Sequence, residues 1–179
     1  MLKSLRYKLL VQQYKNKIYS YSFYMLKNRM DADDVTQEVL IRIWKNIENF
    51  NPDAASAWIM RTAHNLCLDY LRRRSTAVKR ELNIDEENSD KIKEVDRLTD
   101  PEVKARQEML KQKIQESIEK LPETLKSIFV MYELQGLKYR EISEILNVPL
   151  NSVRVYLLRA RKRLQQELRE FKHETIESY

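Results

Sequence analysis

Five cationic side chains crowd one short run of the chain: Arg154, Arg159, Arg161, Lys162 and Arg163. Guanidinium groups at this density can neutralise phosphates, and an arginine can also present paired donors to the N7 and O6 acceptors of a guanine. Which of them could do so depends on where a helix turns them. At the angular step of an α-helix, Val153, Leu157, Ala160 and Leu164 fall within one narrow arc that must face a core. Opposite that arc lie Asn151, Val155, Leu158, Arg159 and Lys162, with Arg154 and Arg161 on one flank and Ser152, Tyr156 and Arg163 on the other. Residues near the N-terminus of such a helix reach base edges first, so Asn151, Ser152, Arg154, Val155, Tyr156 and Arg159 are the candidates for reading duplex DNA. Asn can pair with adenine, and Val155 and Leu158 offer apolar contact to thymine methyls or are tolerated surface residues. Arg161, Lys162 and Arg163 meet phosphates or solvent.

The elements that must position this helix are legible upstream. Ile142, Ile145 and Leu146 mark one apolar face, and Asn147-Val148-Pro149 interrupts it before the second helix begins. Two short helices about a tight turn outline a helix-turn-helix, although an ordinary helical hairpin with a solvated basic face has the same pattern. Met109, Ile114 and Ile118 lead to a boundary at Leu121-Pro122, and Leu125, Ile128, Phe129, Tyr132 and Leu134 form a further apolar face. Gly136 stands where a helix ends in left-handed backbone. Three helices are expected to pack around Ile128, Phe129, Leu134, Ile142, Ile145, Val153 and Leu157. The chain after Leu168 carries no readable chemistry.

A second constellation lies in the N-terminal half. Arg61, Asn65 and Asp69 form an i, i+4, i+8 row on a helix that starts near Ser56, buries Ile59, Ala63, Leu66, Cys67, Tyr70 and Leu71, and is closed by Arg72-Arg73-Arg74. The breaker Phe50-Asn51-Pro52-Asp53 precedes it. Arginines at a helix C-terminus favour the dipole in any protein. Beside an Arg/Asn row and an aromatic-bearing loop, they can also grip phosphates while bases stack. Trp58 is either a strand separator or a core anchor, and His64 reads as structural. Ahead of the breaker, Asp31 is expected to cap a helix with Asp33 and Asp34 in its first turn and a buried stripe of Val35, Val39, Leu40, Ile43, Trp44 and Ile47. Its other face holds Asp34, Gln37, Glu38, Arg42 and Lys45, which by themselves need be no more than helix-start residues and surface ion pairs. Residues 1–30 repeat an apolar and aromatic pattern at helical spacing, giving one or two helices.

Composition removes whole classes of function. A single glycine, Gly136, excludes a glycine-rich phosphate loop or dinucleotide fingerprint. One cysteine, Cys67, and two separated histidines, His64 and His173, leave no internal disulfide and no metal site, and no cofactor is implied. No apolar run is long enough to span a membrane and no signal peptide is visible, so the expected location is the cytoplasm, without membrane insertion. A net charge of +6 suits a polyanionic partner. The charge is uneven: residues 1–74 carry +6, residues 75–100 carry −3 and residues 101–179 carry +3. An acidic polar stretch of that kind cannot bury enough apolar surface to fold alone. The expected fold is all-α: a helical bundle over residues 1–74, a flexible acidic linker over 75–101 and a helix-turn-helix domain over 102–172.

DADDVTQEVLIRIWKNIENF followed by AWIMRTAHNLCLDYLRRR resembles region 2 of the extracytoplasmic-function (ECF) sigma factors, and LPETLKSIFVMYELQGLKYREISEILNVPLNSVRVYLLRARKRL resembles their region 4. The resemblance implies a non-enzymatic promoter-specificity factor. Region 2 would dock on the clamp helices of the RNA polymerase beta-prime subunit through Asp34, Gln37 and Glu38, and region 4 on the beta flap. Region 4 would read the minus-thirty-five element as duplex. Region 2 would open the minus-ten element and hold non-template bases as single strand, with Phe50, Asn51, Trp58, Arg61, Asn65, Arg72 and Arg73 as its readers. The linker would thread toward the polymerase cleft, and an anti-sigma factor would clamp both modules. Where the family usually has a small polar residue and an arginine, this chain has Val155 and Tyr156. Two other classes compete. A free-standing helix-turn-helix regulator leaves the DADDVTQE and AWIMRTAHN segments without a role, and a recombinase would need βα patterning and glycine turns that the sequence lacks.

Overall fold

The computed structural model describes residues 2–80 and 101–177, and every regular element among them is helical. Helix α1 (Leu2–Leu26) is a single element, and α2 (Arg29–Asn46) and α3 (Ala55–Arg80) pack against it and against each other. Their shared core is built from Tyr14, Ile18, Tyr21 and Met25 of α1, Val35, Val39 and Ile43 of α2, and Ile59, Met60, Ala63 and Cys67 of α3, all buried. The apolar pattern of α1 overreaches at its start: Leu5 and Leu9 are exposed. Trp44, expected in the buried stripe of α2, is 43% exposed and packs edge-on against Tyr7 under the ammonium of Lys3. Tryptophan covers area at a rim without being enclosed.

The cap of α2 differs from expectation. Lys27 takes left-handed backbone and ends α1, so the next helix can start at once. Asn28 is its N-cap, and the side-chain oxygen accepts from the Asp31 N–H at 3.0 Å. Asp31 sits inside the first turn, where its carboxylate meets the guanidinium of Arg74, which also donates to the Leu26 carbonyl at 2.7 Å. Arg74 thus bolts α3 across the α1–α2 junction. Nor does the arginine triplet close α3, which continues to Arg80, so residues 75–80 of the expected linker are helical. Residues 81–100 of that linker lie outside the described residues, and its last residue, Pro101, begins the next helix.

The second module comprises α4 (Pro101–Glu119), α5 (Glu123–Phe129) with a π-helical turn Val130–Leu134, α6 (Tyr139–Leu146) and α7 (Leu150–Glu177). Ile118, Leu125, Ile128, Met131, Ile142, Ile145, Val153 and Leu157 are its buried core, whereas Leu134 is 44% exposed and Phe129 half-buried. The wider π turn rotates Leu134 off the inner face. Gly136 has φ +69°, as its position after the helix requires, and the Leu137 N–H reaches back to the Met131 carbonyl at 3.0 Å. Met109 and Ile114 of α4 are exposed at 57% and 37%, so only the C-terminal end of that helix joins the core. The end of α7 has a structural role: Glu167 pairs with Lys120 at 3.0 Å, and Phe171 lies under Lys113, binding α7 to α4.

The two modules touch. Helix α3 packs on α6, Arg61 donates to the Glu144 carbonyl, and Lys27 pairs with Glu119 at 3.3 Å.

Because Asn28 carries the cap, Asn28→Ala is expected to cost about 1 kcal/mol of stability in urea denaturation, while Asn28→Asp changes little. A neutral Asn28→Ala would return the capping role to Asp31.

Candidate nucleic-acid interface

The α6–α7 turn is fixed before any ligand arrives. Asn147 adopts left-handed backbone (φ +53°), the Val148 N–H reaches the Ser143 carbonyl at 3.2 Å, and the Ser143 hydroxyl donates to the Val148 carbonyl at 2.6 Å. Pro149 then accepts from the N–H groups of Ser152 and Val153, which starts α7 tightly. The inner arc is as the periodicity predicts, with Val153 and Ala160 fully buried and Leu157 and Leu164 nearly so. On the outer side Asn151, Arg154, Val155, Leu158 and Arg159 are exposed, while Ser152 and Tyr156 are half-buried. Arg159 lies over the Tyr156 ring at 5.9 Å.

The basic run separates by partner. Arg161 donates through Nε and Nη2 to Glu133 at 2.8 and 2.6 Å and lies 5.5 Å from the Tyr132 ring centroid. The hydrogen bond to Glu133 raises its already high pKa. Two of its donors are occupied within the protein, which the expectation of a phosphate or solvent contact did not foresee. Arg154 stands 5.7 Å from the Tyr139 centroid and has no carboxylate partner among the described residues. Tyr132 and Tyr139 stack face to face with centroids 4.9 Å apart and planes 9° from parallel. The Tyr139 phenol is shifted up, first by its hydrogen bond to Tyr132. Neither tyrosine stood out in the sequence as part of the interface, because their stacking joins the π turn to the start of α6.

In the first module, Phe50 packs edge-on against Trp58 at 4.8 Å, and its carbonyl accepts from Arg6 of α1. The Asn51 side chain accepts from the Asp53 N–H at 3.1 Å, which shapes the short 3₁₀ turn Pro52–Ala54. Phe50, Asn51 and Trp58 thus come together at the mouth of α3. Trp58 is half-buried, partly anchor and partly accessible. Farther along α3, Arg61 and Asn65 are exposed, but the guanidinium of Arg61 is turned to the Glu144 carbonyl of α6. Arg72 pairs loosely with Asp69 at 3.3 Å and Arg73 is exposed. These two lie roughly 17 Å beyond Arg61 along the helix, so the loop and the arginines mark two ends of one face.

His64 is held within the bundle: its Nδ1 is 2.7 Å from the Tyr21 hydroxyl. Burial lowers its pKa to about 4 and pushes the Cys67 thiol up to about 12. Both are structural groups, in keeping with the sequence reading. No cluster of three or more His, Cys, Asp or Glu residues among the described residues could hold a metal ion. No described helix is long and apolar enough to cross a membrane.

The acidic face of α2 leaves Asp34 and Gln37 exposed, while Glu38 accepts from Arg42 at 2.8 Å. Ile41, absent from the sequence-derived candidates, is 46% exposed and lies two turns from Asp34, on the same side. An exposed isoleucine among carboxylates is the signal that could have found it.

Comparison with known proteins gives this geometry a context. The family model for Sigma-70 region 2 matches residues 10–76, and that for Sigma-70, region 4 matches residues 111–164. The chain is 31% identical over 169 residues to ECF RNA polymerase sigma factor SigE of Mycolicibacterium smegmatis, covering 94% of this chain and 64% of that protein's length. It is 32% identical over 168 residues to ECF RNA polymerase sigma factor SigW of Bacillus subtilis, covering 90% and 88%. It is 32% identical over 169 residues to the ECF RNA polymerase sigma-E factor of Escherichia coli, covering 90% and 86%. Among solved structures, the fold is shared with the sigma factor RpoE of Bartonella quintana in complex with the anti-sigma factor NepR (TM-score 0.75, 16% identity, 90% of this chain and 96% of that one). It is also shared with CnrH in complex with the cytosolic domain of CnrY (TM-score 0.65, 20% identity, 92% and 88%).

The lowered pKa of His64 makes a signed prediction. Below the ordinary value near 6.5 the unfolded chain takes up a proton that folded His64 refuses, so stability falls with decreasing pH and stops responding below about 4. In between, this group contributes a slope of up to about 1.4 kcal/mol per pH unit, less for its incomplete burial. Urea titrations across that window should show a shallower slope for His64→Phe than for wild type; equal slopes would remove His64 as the cause.

Proposed function

The chain belongs to the extracytoplasmic-function RNA polymerase sigma factors of the sigma-70 family, and from that premise we propose how its surfaces divide the work of promoter recognition. It is an alternative sigma factor, a transcription initiation factor and not an enzyme, with core RNA polymerase, promoter DNA and an anti-sigma factor as its partners. We place it in the cytoplasm, where core polymerase is found. The observation that carries this reading is the presence of both sigma modules, in order, over residues 10–76 and 111–164. A free-standing helix-turn-helix regulator would not account for the first.

Residues 1–74 are the polymerase-docking and strand-opening module, with α3 continuing beyond it. The α2 face of Asp34, Gln37 and Glu38 docks on the beta-prime clamp helices, and Ile41 supplies the apolar centre of that contact. Carboxylates alone would be weak glue at an exposed surface, whereas an apolar side chain enclosed by them gains from desolvation. Phe50, Asn51 and Trp58 hold unstacked non-template bases while Arg61, Asn65, Arg72 and Arg73 follow the strand. For Arg61 to do so it must exchange the Glu144 carbonyl for a phosphate or base.

Residues 102–172 read the minus-thirty-five element through Asn151, Ser152, Arg154, Val155, Tyr156 and Arg159. The exposure of Val155 and Leu158 opposite a fully buried arc supports major-groove docking, where thymine methyls are available. Residues 81–100 carry the connection between the modules, and region 4 also contacts the beta flap.

Two variants separate these tasks. Replacing Arg154 and Arg159 together with Ala is expected to lower transcription from a cognate promoter at least tenfold while leaving core-polymerase affinity unchanged. Ile41→Glu is expected to weaken core binding about tenfold with the fold intact by circular dichroism. Failure of the wild-type protein to bind core polymerase would overturn the reading as a whole.

A further inference from the structure

Four side chains form one continuous chain of contacts across three elements: Arg154 lies over Tyr139, Tyr139 stacks face to face with Tyr132, and Arg161 lies over Tyr132. The two arginines are seven residues apart on α7, two turns, and so lie on the same side of the helix. The two tyrosines come from the π turn and the first residue of α6. The two ends are not equivalent. Arg161 is fixed by two hydrogen bonds to Glu133, which makes it the anchor. Arg154 has its guanidinium carbon 5.7 Å from the Tyr139 centroid and makes no hydrogen bond to a carboxylate or carbonyl among the described residues, so its donors remain available.

We propose that Tyr139, backed by Tyr132, is a positioning residue for promoter readout that presets the guanidinium of Arg154 for a paired contact with one guanine. This rests on the assignment of Arg154 to the duplex reader. An unrestrained arginine has many rotamers, and a bidentate contact to N7 and O6 admits few of them. A cation–π contact from the ring removes part of that ordering cost before DNA is met, without consuming any of the guanidinium N–H donors. The ring can do this only if it cannot swing away, which is what the parallel stack on Tyr132 provides. Glu133 and Arg161 brace the far side. Tyr139 would thus set specificity at a single base pair without contacting the base itself.

The test uses holoenzyme reconstituted from the full chain and core RNA polymerase, selecting promoter fragments whose upstream element is randomised. Wild type should enrich a guanine at one position, and Arg154→Ala should erase that preference. Tyr139→Leu, which keeps apolar bulk and removes the π face, should reduce the preference at that same position about tenfold while the others stay within error. Tyr139→Phe should retain it. The ring-current shift of the Arg154 side-chain protons in the free protein should persist in Tyr139→Phe and vanish in Tyr139→Leu.

Loss of enrichment spread evenly over all positions in Tyr139→Leu would make the tyrosine a packing residue and overturn the proposal. So would an unchanged profile in Tyr139→Leu alongside the expected loss in Arg154→Ala. If Arg154→Ala itself leaves every position unchanged, the assignment of Arg154 as a reader fails, and the proposal fails with it.

Discussion

The close approach of α3 to α1 is the constraint on which the rest of the molecule depends. Ala63 and Cys67, two small side chains one turn apart, are fully buried where α3 faces Tyr21 and Ile18 of α1, with Ile59 and Met60 filling the turn before. Small residues at this seam admit close packing, His64 Nδ1 lies 2.7 Å from the Tyr21 hydroxyl beside it, and close-packed interiors tolerate little added volume. Everything α3 presents outward follows from that seating: the Phe50–Trp58 corner at its start, the Arg61 and Asn65 row along it, and Arg74 at the α1–α2 junction. A rotation of α3 about its axis would move all of these together.

Electrostatics then divides the arginines into those bonded within the protein and those that are not. Arg6, Arg42, Arg74 and Arg161 each spend donors on a carbonyl or carboxylate within the protein. Arg73, Arg154 and Arg159 show no such bond among the described residues. Exposed ion pairs of this kind contribute little stability individually. Their larger effect is on geometry, since an arginine that has fixed a loop or helix end must give up that bond to meet a phosphate. The net charge of +6 attracts a polyanion in general, and the distribution of partners decides which groups meet it.

The helix-turn-helix shows how an exposed helix face is positioned by residues outside it. Asn147, Ser143 and Pro149 set the turn with bonds that close within it. Behind it, the antiparallel pairing of α4 with the far end of α7 steadies a helix that would otherwise project from a small domain.

Much of this was determined by the sequence alone, because the controlling physics is local. The arc of Val153, Leu157, Ala160 and Leu164, the break at Pro52, the left-handed glycine at 136 and the helical periods of α2, α3 and α6 depend on neighbours within a turn or two, and the structure has each of them. Paired sigma-like modules were also legible, since two motifs in order constrain one another. Long-range contacts decided the remainder. The cap of α2 fell to Asn28 because the end of α1 and an arginine from α3 fixed where that helix could begin. Trp44 and Leu134 have apolar character but lie at rims, and no local pattern reveals where a core ends. The expected helix stop at Arg72–Arg74 failed because no glycine or proline follows to break α3 before Arg80, and Arg74 is held from the side. Arg154 and Arg161 share one flank of one helix and are alike in sequence. Only the fold distinguishes them, because Glu133 and the two tyrosines reach them from separate elements.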